Sequence, residues 1–219
     1  EFGEIETTPQ TLEHPLKPRS PYGASKCAAR HIVKVYRDSY NLFAIHCILF
    51  NHESILRGKQ FVTRKITSNL AHIKYKIEKQ EGFDCFELGN IDARRDWSYS
   101  NDFMEAIWIM LNQDKPDEYI LSSNKDYSIK EFINMCCKSL GLSNVWQLDE
   151  DPLNTKMYIN NKLAITINEK YYRPAEIHIM RGDSRETYKK LQWEPKTSLQ
   201  EMINIMCNYD YKLLTNKEV

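Results

Sequence analysis

Apolar positions along this chain keep two rhythms, one of three to four residues and one of short continuous runs, and their alternation sets out the elements. Ala28, Ile32 and Val35 follow Tyr22 on one stripe, predicting a helix to about Tyr40 with Asn41 as its stop. Phe43–Phe50 is almost unbroken apolar sequence, as expected of a strand buried on both faces of a parallel sheet. His46 within it reads as a satisfied core histidine. A helix from about Thr63 turns Ile66, Leu70, Ile73 and Ile77 inward, and Cys85–Leu88 is a short strand. Phe103, Met104, Ile107, Trp108 and Leu111 recur at helical spacing from about Asn101, placing that Met and Trp in the core. Tyr119–Leu121 is a strand. Ser128 and Glu131 form a capping box opening a helix through Ile129, Phe132, Ile133, Cys136, Cys137 and Leu140, closed by Gly141.

From 143 to 170 the rhythm weakens, with strand signals only near Val145–Leu148 and Leu163–Ile167. Tyr171–Glu176 reads as a loop, Ile177–Met180 as a strand and Ser184–Leu191 as a short helix. A second capping box, Ser198 with Glu201, opens a last helix through Met202, Ile203 and Met206, and the tail after Tyr211 is expected to fray. Strands alternating with helices indicate an α/β layer architecture, without internal repeats.

Composition narrows the class. At 219 residues the chain can form one large domain or two small ones. Lys+Arg and Asp+Glu each number 30, and the resulting zero net charge argues against bulk nucleic-acid binding. The six cysteines form no CxxC pair and several lie on apolar faces, so they read as small hydrophobes of a reduced, cytoplasmic protein with no metal site. No segment approaches the ~18 apolar residues of a membrane span. Seven scattered glycines provide neither GxGxxG nor a phosphate loop. The start, Glu1-Phe2-Gly3, resembles neither a signal peptide nor a natural beginning, so the chain reads as a fragment or trimmed product.

Candidate chemistry gathers at Arg19–Lys26. Ser20 can cap the helix and Pro21 suits its first turn, which sets Tyr22 and Lys26 on one face at i and i+4. An ammonium beside a phenol favours the phenolate, bringing a base with a pKa of about 10 closer to working range. Such a pair can take a proton from an alcohol as hydride leaves its carbon. Tyr75/Lys79 and Tyr158/Lys162 share the spacing without the Pro-punctuated loop before or the apolar strand after. Asn51-His52-Glu53-Ser54 stands at a strand's carboxyl end, either a ligand position of an open α/β sheet or an Asx-type turn. Arg64 and Lys65 occupy a helix's first turn, where the dipole disfavours cations and a nearby anion would explain them.

Taken in order, Ser20–Lys26, Ile48–Ser54, Phe61–Ile66, Arg94–Trp97, Tyr172–Glu176 and Leu191-x-Trp193-x-Pro195 resemble the GDP-mannose 4,6-dehydratase family, extended short-chain dehydrogenases/reductases. The likeness covers the C-terminal two-thirds of such a protein. It implies the C-terminal part of a Rossmann-like parallel sheet, with a smaller, interleaved α/β substrate-binding domain. Residues 1–50 and 97–125 would belong to the NADP-binding domain, and 51–96 and 126–219 to the GDP-sugar-binding domain.

The implied reaction turns GDP-mannose into GDP-4-keto-6-deoxymannose on the route to GDP-fucose or related deoxysugars. Tyr22, assisted by Lys26, removes the 4-hydroxyl proton as hydride passes to NADP; a glutamate takes the C5 proton, water leaves C6, and the hydride returns there. By the same likeness Tyr22, Lys26, His52 and Arg57 contact the cofactor, and Asn51, Lys65, Arg95, Arg173 and Glu176 the GDP-sugar. A homodimer or homotetramer is also implied. Two departures stand out. The family's Ser/Thr-Ser/Thr-Glu triplet would end just before Glu1, so the isolated chain is expected to be inactive. Gln192 replaces a usual glycine, at a cost on the order of 1 kcal/mol if the backbone there is left-handed. Another extended short-chain epimerase or reductase, and a non-catalytic GDP-sugar-binding module, are the competing readings.

Overall fold

The computed structural model describes residues 1–172 and 177–215. In chain order its elements are α1 (Pro21–Tyr40), β1 (His46–Leu49), β2 (Asn51–Glu53), α2 (Val62–Glu78), β3 (Phe86–Leu88), β4 (Arg94–Arg95) and β5 (Trp97–Tyr99). There follow α3 (Ser100–Leu111), β6 (Glu118–Leu121), β7 (Tyr127–Ser128), α4 (Ile129–Leu140), β8 (Asn144–Gln147), β9 (Lys156–Ile159), β10 (Lys162–Ile167), β11 (Ile179–Met180), α5 (Arg185–Leu191) and α6 (Leu199–Thr215). This is the expected α/β class, with parallel pairing of β1 with β6, β3 with β10 and β4 with β11.

Two compact units share the chain. The first comprises Glu1–His52, Arg94–Tyr127 and Ile177–Thr197, and the second Glu53–Ala93, Ser128–Glu176 and Ser198–Val219. Residues 177–197 thus sit with the first unit, whereas the sequence reading grouped them with the second. In the first unit β1 and β6 run side by side, His46 opposite Glu118 through Leu49 opposite Leu121. Phe103, Ala106, Met110, Tyr119, Leu121, Leu191 and Trp193 form one core, and Phe2, Ile48, Phe50 and Ile120 another. Gly182 is required by close approach: a Cβ there would lie 2.5 Å from the Phe50 ring and 2.7 Å from Ser122 Cβ.

In the second unit the sheet order is β3-β10-β9-β8, and α2, α4 and α6 pack on one another pairwise. The sequence missed β9. Its hairpin with β10 turns on Asn160 and Asn161, with φ of 51° and 60°, the left-handed pair that a two-residue type I′ turn demands. Asparagine tolerates that region better than most residues, so the Asn-Asn dipeptide was the available signal. Both capping boxes form: Ser128 Oγ accepts from Glu131 N at 3.1 Å, and Glu201 Oε2 accepts from Ser198 N at 2.8 Å.

Three expectations about burial need correction. Only His46–Leu49 is strand, pairing among the described residues with β6 alone, and the exposed Leu49 shows that one of its faces is not covered. His46 is half-buried, its Nε2 3.1 Å from Glu1 Oε1. Ile32 and Val35 on α1 face solvent, as do Met104, Trp108 and Leu111 on α3, Trp108 at 69% exposure. The buried face of α3 is Phe103, Ala106 and Met110 instead. Asp102 anchors that rotation, its Oδ2 accepting from Lys196 N at 3.0 Å and Thr197 N at 2.7 Å.

Candidate functional site

In the first unit, Ser20 caps α1 as its sequence dictates: its side chain accepts from Gly23 N at 3.0 Å, with Pro21 following at the first helical position. The helix turn then sets Lys26 Nζ 5.5 Å from the centroid of the Tyr22 ring. Tyr22 is 72% exposed, so its phenol is open to a ligand. Water screens the attraction between the ammonium and the ring here, and it strengthens when a bound molecule displaces that water.

Asn51 and His52 lie half-buried on β2, which pairs with β5. The polar cluster is strand there, not an Asx turn. His52 Nδ1 is 3.0 Å from the Phe50 carbonyl oxygen, and its ring sits 5.7 Å from that of Phe103. A carbonyl only accepts, so Nδ1 carries the proton in this contact and Nε2 of the neutral ring is left as an acceptor. Arg95 is held by its Nη1, which donates to the Ile177 carbonyl at 2.6 Å and to its neighbour Arg94 at 2.8 Å.

Asp96 is the functional-looking group that sequence spacing missed. It is fully buried. Burial pushes its carboxyl up to about 7, opposed by hydrogen bonds from Ser123 N at 2.7 Å and Ser123 Oγ at 2.8 Å. The Gly182 N–H acts in the same direction, yet Oδ2 completes no hydrogen bond among the described residues.

In the second unit, Arg57 lays its guanidinium over the Phe61 ring, 3.6 Å from the centroid, with Nε 3.2 Å from Glu53 Oε2. Lys65 Nζ lies 3.9 Å from the centroid of Tyr171. The preceding cation, Arg64, is not explained by an outside anion, as its place in the first turn suggested. It is buried, and its Nη2 is 2.6 Å from Asp210 Oδ1 on α6, whose other oxygen accepts from Thr67 Oγ1 at 2.6 Å. The N-terminus of α2 has no side-chain cap, Phe61 standing at that position, so its first amides are open to an anion. Arg173 and Glu176 lie outside the described residues.

Tyr22, Lys26, Asn51, His52 and Arg95 therefore belong to the first unit, and Arg57 and Lys65 to the second. Among the described residues no cluster of three His, Cys, Asp or Glu could hold a metal, and no helix is long and apolar enough to cross a membrane.

The profile of the GDP-mannose 4,6 dehydratase family matches residues 1–206. The chain is 38% identical over 213 residues to GDP-mannose 4,6 dehydratase of Homo sapiens, covering 97% of this chain and 56% of that protein. Against the Vibrio cholerae GDP-mannose 4,6-dehydratase it is 37% identical over 222 residues, covering 97% and 58%. The chain thus spans a little over half the length of these relatives. Among solved structures, RMD from Pseudomonas aeruginosa complexed with NADPH superposes with a TM-score of 0.77 at 18% identity, over 96% of this chain and 63% of that one. The dTDP-glucose 4,6-dehydratase from Bacillus anthracis in complex with NAD gives 0.73 at 20% identity, over 96% and 58%. At such identities the likeness is one of fold, a Rossmann-like α/β architecture.

Proposed function

The chain belongs to the GDP-mannose 4,6 dehydratase family, and on that premise we propose that it supplies the tyrosine base and sugar-nucleotide contacts of an NADP-dependent dehydratase converting GDP-mannose to GDP-4-keto-6-deoxymannose. The observation that carries this reading is the capped first turn of α1, which exposes the Tyr22 phenol with Lys26 Nζ 5.5 Å from its ring. Tyr22 Oη takes the proton of the mannose 4-hydroxyl, with the Lys26 ammonium beside its ring. The chemistry that NADP would supply, when bound, is the uptake of hydride from C4 of the sugar and its return at C6.

The residues present fit such a cofactor. His52 offers Nε2 as an acceptor for a ribose hydroxyl, and Arg57 has two terminal Nη groups that engage no acceptor among the described residues. Lys26 also serves the ribose. Asn51, Lys65 and Arg95 are assigned to the GDP-sugar, Lys65 beside the open amides of α2 where a diphosphate oxygen would be stabilised. Arg173 and Glu176 complete that set, a guanidinium for phosphate and a carboxylate accepting from guanine. Self-association into a homodimer or homotetramer is part of the proposal, supported by the exposed apolar residues Ile32, Val35 and Tyr36 of α1. So are a cytoplasmic setting and a place on the route to GDP-fucose or related deoxysugars.

The test uses a polypeptide of the relatives' length containing this chain, incubated with GDP-mannose and NADP. Tyr22→Phe is expected to lower product formation about a thousandfold, the scale of losing one general acid–base group, while GDP affinity stays unchanged. Wild-type turnover by the variant would remove Tyr22 as the base.

A further inference from the structure

Arg57 ends a turn closed by its own N–H, which donates to the Ser54 carbonyl at 3.1 Å. Two neighbours then fix the planar guanidinium. Phe61 covers one face at 3.6 Å from its centroid, a cation–π contact. Glu53 meets the Nε edge at 3.2 Å, as a charge pair whose N–H is not aimed for a hydrogen bond. The carboxylate is itself held: it is 2% exposed and accepts from the buried Thr63 hydroxyl at 2.7 Å. The backbone of the turn is anchored as well, because the buried Arg64 donates to the Ile55 carbonyl.

A carboxylate buried this deeply is costly, and burial raises the Glu53 pKa. For stability alone an apolar side chain would do as well. What the carboxylate adds is direction. With one face stacked and the Nε edge paired, the guanidinium keeps only its Nη1 and Nη2 edge for a ligand, and it is a quarter exposed. A cation set in advance loses less entropy on binding than a free one.

We propose that Glu53 is a positioning residue for Arg57, acting with Phe61 to present the Nη edge of the guanidinium to a phosphate of the nucleotide cofactor. This rests on the reading of Arg57 as a cofactor contact.

The experiment uses a polypeptide of the relatives' length containing this chain and compares the wild type with Glu53→Gln, Arg57→Ala and the double variant, by NADPH titration and by the Arg57 Nε–Hε signal in 15N-correlated spectra. Glu53→Gln keeps the bond from Thr63 and removes only charge. Each single change is expected to weaken NADPH about tenfold, the double variant no more than Arg57→Ala, and Glu53→Gln to broaden the Arg57 signal or erase it. Wild-type affinity in Glu53→Gln, or losses that multiply in the double variant, would overturn the proposal. If Arg57→Ala binds as the wild type does, or the wild type does not bind, the cofactor reading of Arg57 falls. The spectrum then decides the positioning alone, an unchanged Arg57 signal in Glu53→Gln overturning it. Should Glu53→Gln not fold, Phe61→Leu at its exposed position carries the same test, with the same broadening expected and an unchanged signal overturning the clamp.

Discussion

Asp96 shows how a single residue can differ from its sequence neighbourhood. Three charges stand in a row, Arg94-Arg95-Asp96, yet the two arginines are half-buried on β4 while the aspartate just past that strand is enclosed in the interior beside Ser123 and Gly182. Its folded pKa, raised to about 7 mainly by desolvation, lies above the unfolded value of about 4. The sign follows: the unfolded chain ionises first as pH rises, so this group costs stability progressively from about pH 4 to pH 7. Asp96→Asn should therefore stabilise the protein at pH 8 by up to about 4 kcal/mol and change it little at pH 4. Denaturant unfolding at both pH values measures this, and an equal effect at the two would show that the carboxyl titrates normally. Tyr22 and Lys26, in contrast, were legible as residues, because cap, proline and i,i+4 spacing are all local.

At the scale of elements, the first turn of α2 is the informative case. Its two adjacent cations looked alike in sequence, yet Arg64 points into the helix layer and Lys65 lies on Tyr171. No local rule separates them, since the carboxylate that neutralises Arg64 lies 146 positions away on α6. Asp210→Asn leaves a buried guanidinium without its counter-charge and should lower unfolding free energy by about 3 kcal/mol. The double change Arg64→Met with Asp210→Leu should regain most of it. A double variant as unstable as the single one would show that the pair contributes through shape, not charge. On α3, helical periodicity was read correctly as a helix but its face was misjudged. Met104, Trp108 and Leu111 keep the spacing of a core stripe, whereas the rotation is fixed by Asp102 reaching the backbone at Lys196 and Thr197.

For the whole molecule, the cysteines give a test of packing. All six are free; Cys27, Cys136, Cys137 and Cys207 are buried, Cys47 is half-buried and Cys85 is exposed. Burial pushes the thiols of Cys47 and Cys137 up to about 12, so both are protonated and unreactive near neutrality. Titration of the native protein with a thiol reagent should modify Cys85 fast and the other five only on unfolding. A second fast thiol would contradict this packing.

What the sequence determined by itself is whatever depends on neighbours along the chain. It set the alternation of helix and strand, the two capping boxes, the Gly141 stop and the tyrosine–lysine face. It also set Gln192 as an exception, and φ of 48° there confirms the left-handed backbone that a glycine would adopt freely. Tertiary structure decided which apolar faces are covered, that 177–197 returns to the first unit, and that Glu53, Asp96 and Asp210 are interior carboxylates. The reason is physical. Caps and turns are made by atoms a few bonds apart, but the environment of a charge is the sum of groups brought together from distant parts of the chain, and no local spacing encodes it.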